Sequence, residues 1–240
     1  YTWPVSGVTY TNSGNYAYTV CSTPNGSAVR YLTLTITNSN SEALSYTTND
    51  SSWVIKLFIE GLYTGSHQMI NSLQNAGIGN DSSLSDSVTI QLRSPNSPYN
   101  IITTQTVAIR TNGIAIAKFP LYLNGNYYIV VKHRNAIETW SASPVLRSPC
   151  VSFYDFTTEV NKAYGSNMIQ VEPNVWAIYS GDINHDDNID LLDLSILESD
   201  LSAFQFGYIS TDLNGDVNAD LLDVSTLEPN INNFIFSSHP

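Results

Sequence analysis

The chain has 240 residues, 42% of them hydrophobic and only 12% charged. That hydrophobic share supports a packed core and excludes wholesale disorder. No apolar run approaches the ~18–20 residues that span a bilayer, which argues against membrane insertion, and a net charge of −12 with no basic cluster argues against nucleic acid as a partner.

In chain order, residues 1–40 read as a small β segment, in which Tyr31–Thr37 alternates with Leu32, Leu34 and Ile36 on one face. Asn38–Ser52 is rich in Asn, Ser and Thr and reads as a linker. From about 50 to 178 the chain reads as a β-sandwich of Ig-like type, so the fold class expected is mainly β. Its strands alternate, with Ile55, Leu57 and Ile59 together, then Val88, Ile90 and Leu92, then Ile114 and Ile116, then Tyr127, Ile129 and Val131. Asn112-Gly113 and Asn124-Gly125 are hairpin-turn signals. Gln68–Gly79 reads as a short helix or a long loop. Cys21 and Cys150 are far apart in sequence; they form a disulfide or remain two buried thiols, and spacing does not choose between these.

The acidity is concentrated. Residues 1–178 carry nine acids and all nine bases, while residues 179–240 carry twelve acids and no Lys or Arg. Carboxylates packed without counter-charge repel one another, and a bound cation is the simplest remedy. The same segment repeats itself: Ser180–Phe206 lies over Ser210–Phe236 at an offset of 30 residues without a gap. Each copy holds a 12-residue loop, Asp182–Asp193 and Asp212–Asp223, followed by a short helical stretch and then Phe-x-Phe.

Calcium takes six to eight hard oxygen ligands, and a 12-residue loop delivers them from positions 1, 3, 5, 7, 9 and 12. In the first loop these are Asp182, Asn184, Asp186, Asn188, Asp190 and Asp193; in the second they are Asp212, Asn214, Asp216, Asn218, Asp220 and Asp223. Asn188 and Asn218 would serve through their main-chain carbonyls, and Asp193 and Asp223 as bidentate ligands on the first turn of each helix. Position 6, where such loops favour Gly because φ is positive, holds Asp187 and Val217, so the second loop is expected to turn differently or bind more weakly. Leu192, Ile196 and Leu197 give the first helix an apolar face, and Leu222 and Leu227 the second. Pro229 is expected to end the second helix one residue earlier.

These paired Asp-x-Asn-x-Asp…Asp loops resemble the dockerin family over about the last 60 residues. The resemblance implies two Ca²⁺ ions, two short helices packed on each other, and folding coupled to metal. Dockerins of cellulosomes are read largely through polar residues at loop positions 10 and 11 and bases on the helix. Here those positions are Leu191-Leu192 and Leu221-Leu222, and the helices carry Glu198 and Glu228. Thr2-Trp3-Pro4-Val5-Ser6-Gly7, Thr9-Tyr10 and Leu32–Thr37 resemble one extracellular β repeat of modular secreted Bacteroidetes proteins. Leu57–Tyr63, Gln68-Met69, Tyr127–Asn135 and Ile137–Ser141 resemble a second module of those proteins, which commonly precedes a dockerin-like pair. Export and a surface or matrix role follow from that resemblance, with any signal peptide already removed.

No catalytic constellation is legible. His67, His133, His185 and His239 show no metal-ligand spacing. His133-Arg134-Asn135 has only a superficial likeness to a kinase loop, and no Gly-x-Ser-x-Gly elbow is present. The expected protein is a secreted or cell-surface non-enzyme with a calcium module at 179–240. It is read as a structural or adhesive subunit that associates with itself in a filament, or as a dockerin-type module that binds a protein partner. A third reading is a carbohydrate-binding module, with Lys132, Arg134 and Trp140 lining a glycan edge.

Overall fold

The computed structural model describes residues 9–23, 26–34, 50–120, 122–147 and 152–240. The Thr2–Gly7 motif, Ile36, the 38–49 part of the linker and Cys150 lie outside the described residues, and with them the question of the disulfide. The chain divides into two compact units, one of Tyr1–Trp53, Lys118–Gly125 and Leu146–Ser152, the other of Val54–Ala117, Asn126–Val145 and Phe153–Pro240.

The smaller unit contains an antiparallel hairpin of β1 (Gly14–Thr23) and β2 (Gly26–Leu34), with a bulge between Thr19 and Cys21. Among its described residues Arg147 is buried, and its Nη2 donates to Ser51 Oγ at 2.6 Å and Phe119 O at 2.7 Å.

The remaining strands are β3 (Asp50–Lys56), β4 (Tyr63–Gly65), β5 (Gln68–Met69), β6 (Leu84–Arg93), β7 (Ile101–Arg110), β8 (Ile114–Pro120), β9 (Gly125–Lys132), β10 (Thr139–Trp140), β11 (Val145–Arg147), β12 (Ser152–Asp155), β13 (Ile169–Glu172) and β14 (Val175–Ala177). The helices are α1 (Ser72–Asn75), α2 (Leu191–Ser202) and α3 (Leu221–Asn232). The fold is mainly β, as composition and alternation imply. The described strands join one eight-stranded sheet ordered β10-β9-β6-β7-β8-β3-β12, with β11 against β9, and small two-stranded ribbons. An Ig-like sandwich would divide such strands between two facing sheets. Inward alternation is the same in either arrangement, so the sequence pattern does not distinguish them.

Ile55, Leu57, Ile59, Val88, Ile90, Leu92, Ile129 and Val131 are all buried as expected. Tyr128 and Val130 are buried as well, so β9 is covered on both faces. On β8 the register is the reverse of the expected one. Ala115, Ala117 and Phe119 are buried and Ile116 is exposed, so the parity that ends in Phe119 is the inward one. Asn112-Gly113 does turn β7 into β8, with Gly113 at φ +83° and Ile109 opposite Ala115. Asn124-Gly125 makes no hairpin, since β8 and β9 are not sheet neighbours. Within Gln68–Gly79 the helix is a single turn, α1.

The segment after residue 179 packs closely on the sheet. A Cβ at Gly61 would stand 2.3 Å from Leu213 O, so only glycine admits this approach of the second acidic loop. Asn230, buried in α3, donates to Glu60 Oε2 at 2.7 Å and to Ser180 O at 2.8 Å. Pro229 does not end the helix as expected. The helix continues to Asn232, with Asn233 N bonded to Pro229 O at 3.0 Å, and the buried Asn230 contacts lie on the turn that the proline would have disrupted.

Candidate metal centre

The two acidic loops adopt one conformation twice. Asp190 and Asp220 are N-caps with extended backbone, and their side chains accept from Leu192 N and Leu222 N, each at 2.7 Å. Asp193 and Asp223 complete capping boxes by accepting from Asp190 N and Asp220 N, each at 2.9 Å. The other oxygen of each position-12 carboxylate reaches back across the loop. Asp193 Oδ1 accepts from Ile183 N at 2.8 Å and Asn184 N at 3.1 Å, and Asp223 Oδ1 from Leu213 N at 2.7 Å and Asn214 N at 3.1 Å. Each helix is therefore started by the residue that also closes its loop.

The turn at position 6 is shared as well. Asp187 has φ +71° and Val217 φ +84°, so the second loop does not turn differently, contrary to the expectation from its valine. A β-branched residue in the left-handed region carries strain of about 1–3 kcal/mol. It is held there by Val217 N donating to Asp212 Oδ2 at 3.3 Å and Gly207 N donating to Val217 O at 2.7 Å. Val217→Gly is expected to stabilise the protein by about 1 kcal/mol, read as a higher urea midpoint at unchanged slope.

The repeats interlock by exchanging partners. Ile189 N bonds to Ile235 O at 2.9 Å and Ala219 N to Gln205 O at 3.1 Å, while Asn188 bridges Phe236 and Asn218 bridges Phe206. Each pair becomes the other under the 30-residue offset, so each loop is backed by the Phe-x-Phe segment of the other repeat.

Asp182, Asp193, Asp212 and Asp223 are buried, whereas Asp186 and Asn188 are exposed. Burial first, and then the charge of Asp193, push the Asp182 carboxyl up to about 7. Burial also raises Asp212, to about 6; the Arg134 guanidinium opposes the rise and Asp223 adds to it. Asp193 and Asp223 are raised by burial against the pull of their backbone N–H partners. Among the described residues no three His, Cys, Asp or Glu side chains are gathered as a ready-made metal site. The loops present instead two buried carboxylates each, with Asn side chains and main-chain carbonyls around them. That donor set is all hard oxygen, and it is short of positive charge, which fits a calcium ion rather than a softer metal.

One base does reach the acidic segment, and the charge count alone did not reveal it. Arg134 Nη1 donates to Asp212 O at 2.8 Å and also to Ile209 O, its Nη2 stands 3.6 Å from Asp212 Oδ2, and its plane stacks 4.7 Å from the Tyr208 ring. Nε pairs with buried Asp86 Oδ2 at 3.1 Å. Asn135 Nδ2 adds a bond to Asp212 O at 2.9 Å. The His133-Arg134-Asn135 run is thus a structural joint between sheet and loop.

The expected glycan edge is closed. Trp140 is only 2% exposed, its Nε1 donates to Glu138 Oε1 at 2.6 Å, and Arg93 covers its ring at 4.7 Å. Lys132 pairs with Glu138 and Arg134 with Asp86, which leaves neither base at an open aromatic face.

The helices leave much of their expected apolar face outside. Leu197 and Leu227 are buried, but Leu192, Ile196 and Leu222 are exposed. Leu191 and Leu221 are 68% and 73% exposed, and Phe204 and Phe234 86% and 83%. A groove runs between the repeats, lined by Leu191 and Leu192 from one and Ile231, Phe234 and Phe236 from the other.

No family model and no curated protein matches the chain. Two crystal structures of type II cohesin–X-dockerin complexes from Acetivibrio cellulolyticus contain a similar chain. One is an N-terminal interface mutant, with a TM-score of 0.44 and 14% identity; the other is a C-terminal interface mutant, with 0.46 and 15%. Each match covers 75% of this chain and 95% of that chain. No helix of the described residues is long and apolar enough to cross a membrane.

Proposed function

We propose that this chain is an extracellular, non-catalytic module that docks a protein partner through the apolar face of residues 179–240, with calcium ions holding that face in shape. The observation that carries the reading is the exposure of Leu191, Leu192, Phe234 and Phe236 around one groove, with Leu221, Leu222, Phe204 and Phe206 exposed at the positions related to them by the 30-residue offset. Soluble proteins seldom leave so many large apolar side chains uncovered without a binding role. The surrounding segment has twelve acids and no Lys or Arg, so the fitting partner is a protein surface with an apolar centre and a basic rim.

Asp182, Asn184, Asp186, Asn188, Asp190 and Asp193 would hold one ion, and Asp212, Asn214, Asp216, Asn218, Asp220 and Asp223 the other. Bound calcium would supply positive charge between the buried carboxylates. The chain's own part is to place the helices: position 12 of each loop caps the helix whose first residues, Leu191-Leu192 and Leu221-Leu222, form the face.

The test uses calcium-loaded protein against the secreted and surface proteins of its source, followed by rebinding of each captured protein in purified form. The expected partner binds in calcium and leaves on chelation. Leu191→Asp combined with Phe236→Asp should weaken it at least a hundredfold, since losing two anchors commonly costs about 2 kcal/mol each or more. Equal binding by that variant would overturn the docking face. Concentration-dependent growth of the pure protein, lost in the same variant, would make a second copy the occupant instead.

A further inference from the structure

We infer that Arg134 is a built-in counter-cation of the second loop, which the sheet holds in ligand-bearing shape without calcium, whereas the first loop depends on the ion. The inference rests on the calcium reading of the loops only for its second half; the role of Arg134 stands on contacts alone.

The two loops have the same residue types at all six ligand positions but different surroundings. Asp212, position 1 of the second loop, has a guanidinium nitrogen 3.6 Å from its carboxylate, and its carbonyl accepts from Arg134 at 2.8 Å and from Asn135 at 2.9 Å. That Arg134 nitrogen, Nη2, is buried with no hydrogen-bond partner and faces the carboxylate. The guanidinium is itself fixed by Asp86 at 3.1 Å and by the Tyr208 ring, whose hydroxyl also bonds to Asp86. Around it the loop backbone is pressed on the sheet module. Asn75 Nδ2 donates to Gly215 O at 3.0 Å, and a Cβ at Gly215 would lie 2.7 Å from Ile70 and 2.9 Å from Ser72.

The first loop is met differently. Among the described residues no ion pair reaches Asp182, whose carboxylate accepts from Asp186 N at 3.2 Å within its own loop. At loop position 4 the exposed His185 replaces the packed Gly215. One loop therefore has a positive charge fixed against its position-1 carboxylate by another element; at its twin Lys132 and His133 act on His185 instead, and among the described residues no ion pair reaches the position-1 carboxylate. A fixed charge next to a desolvated carboxylate does part of what a bound cation does, and it does so permanently.

The experiment is amide hydrogen exchange on the full chain, with and without calcium, for wild type, Arg134→Gln and Arg134→Lys. In calcium-free wild type, the Leu213, Asn214 and Asp216 amides should exchange at least tenfold more slowly than Ile183, Asn184 and Asp186. Calcium should then slow mainly the first loop. In Arg134→Gln the second-loop protection should fall to the first-loop level without calcium and return when calcium is added, while the Ile90 and Val131 amides stay protected and report an intact sheet. Equal protection of the two loops in calcium-free wild type, or unchanged second-loop protection in Arg134→Gln, would overturn the inference. If Arg134→Gln does not fold, Arg134→Lys decides, since lysine keeps the charge and loses the fork: second-loop protection above the first-loop level supports the role and protection fallen to the first-loop level overturns it. If calcium slows neither loop, the calcium reading fails while the Arg134 comparison still gives its answer.

Discussion

Replacement of Asp86 by alanine is expected to destabilise the protein by about 3–5 kcal/mol, because it leaves buried positive charge without its partner. Asp86 is fully buried, with Arg134 Nε 3.1 Å and His133 Nε2 3.3 Å from Oδ2. The same carboxylate accepts from Ser72 Oγ at 3.0 Å and Ser87 N at 2.7 Å, and from the Tyr208 hydroxyl. Burial pushes its pKa up, but the His133 ring, the Arg134 charge and the Tyr208 hydroxyl outweigh that and hold it well below the usual carboxylate range. A carboxyl depressed in the folded state adds stability above its unfolded pKa, and that contribution is lost as pH falls through the folded value. The wild-type protein should therefore lose stability steadily below about pH 4, and Asp86→Ala should show a flatter acid limb. Urea unfolding at pH 7 and pH 3 measures both effects. An alanine variant within 1 kcal/mol of wild type at pH 7 would mean that the joint is not a stabilising element.

Asp86 also shows how far the sequence could be read. It shares parity with Val88, Ile90 and Leu92, so the alternation that located the strand also pointed this acid inward. A buried acid in a chain with few bases must have one of them as a partner, but which base depends on sheet order. That order brings β6 beside β9, and so Asp86 beside the residues that follow Lys132. Parity also misled, at β8, where two alanines rather than two isoleucines face inward. Side-chain size favours the isoleucines for the core, but the inward parity on this strand is the one that carries Phe119. In the acidic segment the spacing gave the loops and the start of each helix, because position 12 is a local feature, while the N-cap role of Asp190 and Asp220 comes from the structure. It did not give the solvent exposure of Leu192 and Leu222. Apolar residues at helical spacing have the same pattern whether another part of the chain or another molecule covers them. Val217 illustrates the opposite limit: its local preference opposes the left-handed turn, and interlocking with the other repeat overrides it.

Adding calcium to chelator-stripped protein at neutral pH is expected to raise the melting temperature by about 10 °C or more. A ligand bound only by the folded state stabilises by about 2.7 kcal/mol per site at a hundredfold excess over Kd, and about 1 kcal/mol is worth about 2–4 °C for a chain of this size. Stoichiometry should be two ions, falling to one in Asp193→Ala or Asp223→Ala. The pH dependence makes the test sharper. Asp182 is raised to about 7 and Asp212 to about 6. A carboxyl raised in the folded state keeps a proton that the unfolded chain has already released, so the calcium-free protein should lose stability as pH rises from about 4 to 7. Calcium requires those same oxygens deprotonated, so binding should release protons and its stabilising effect should grow over the same pH range. Opposite slopes of melting temperature against pH, with and without the ion, would tie the metal to these buried carboxylates rather than to the exposed acids of the same segment. Parallel slopes, or no calcium response, would remove the ion from the account and leave Asp182 and Asp193, among the described residues, with backbone N–H partners.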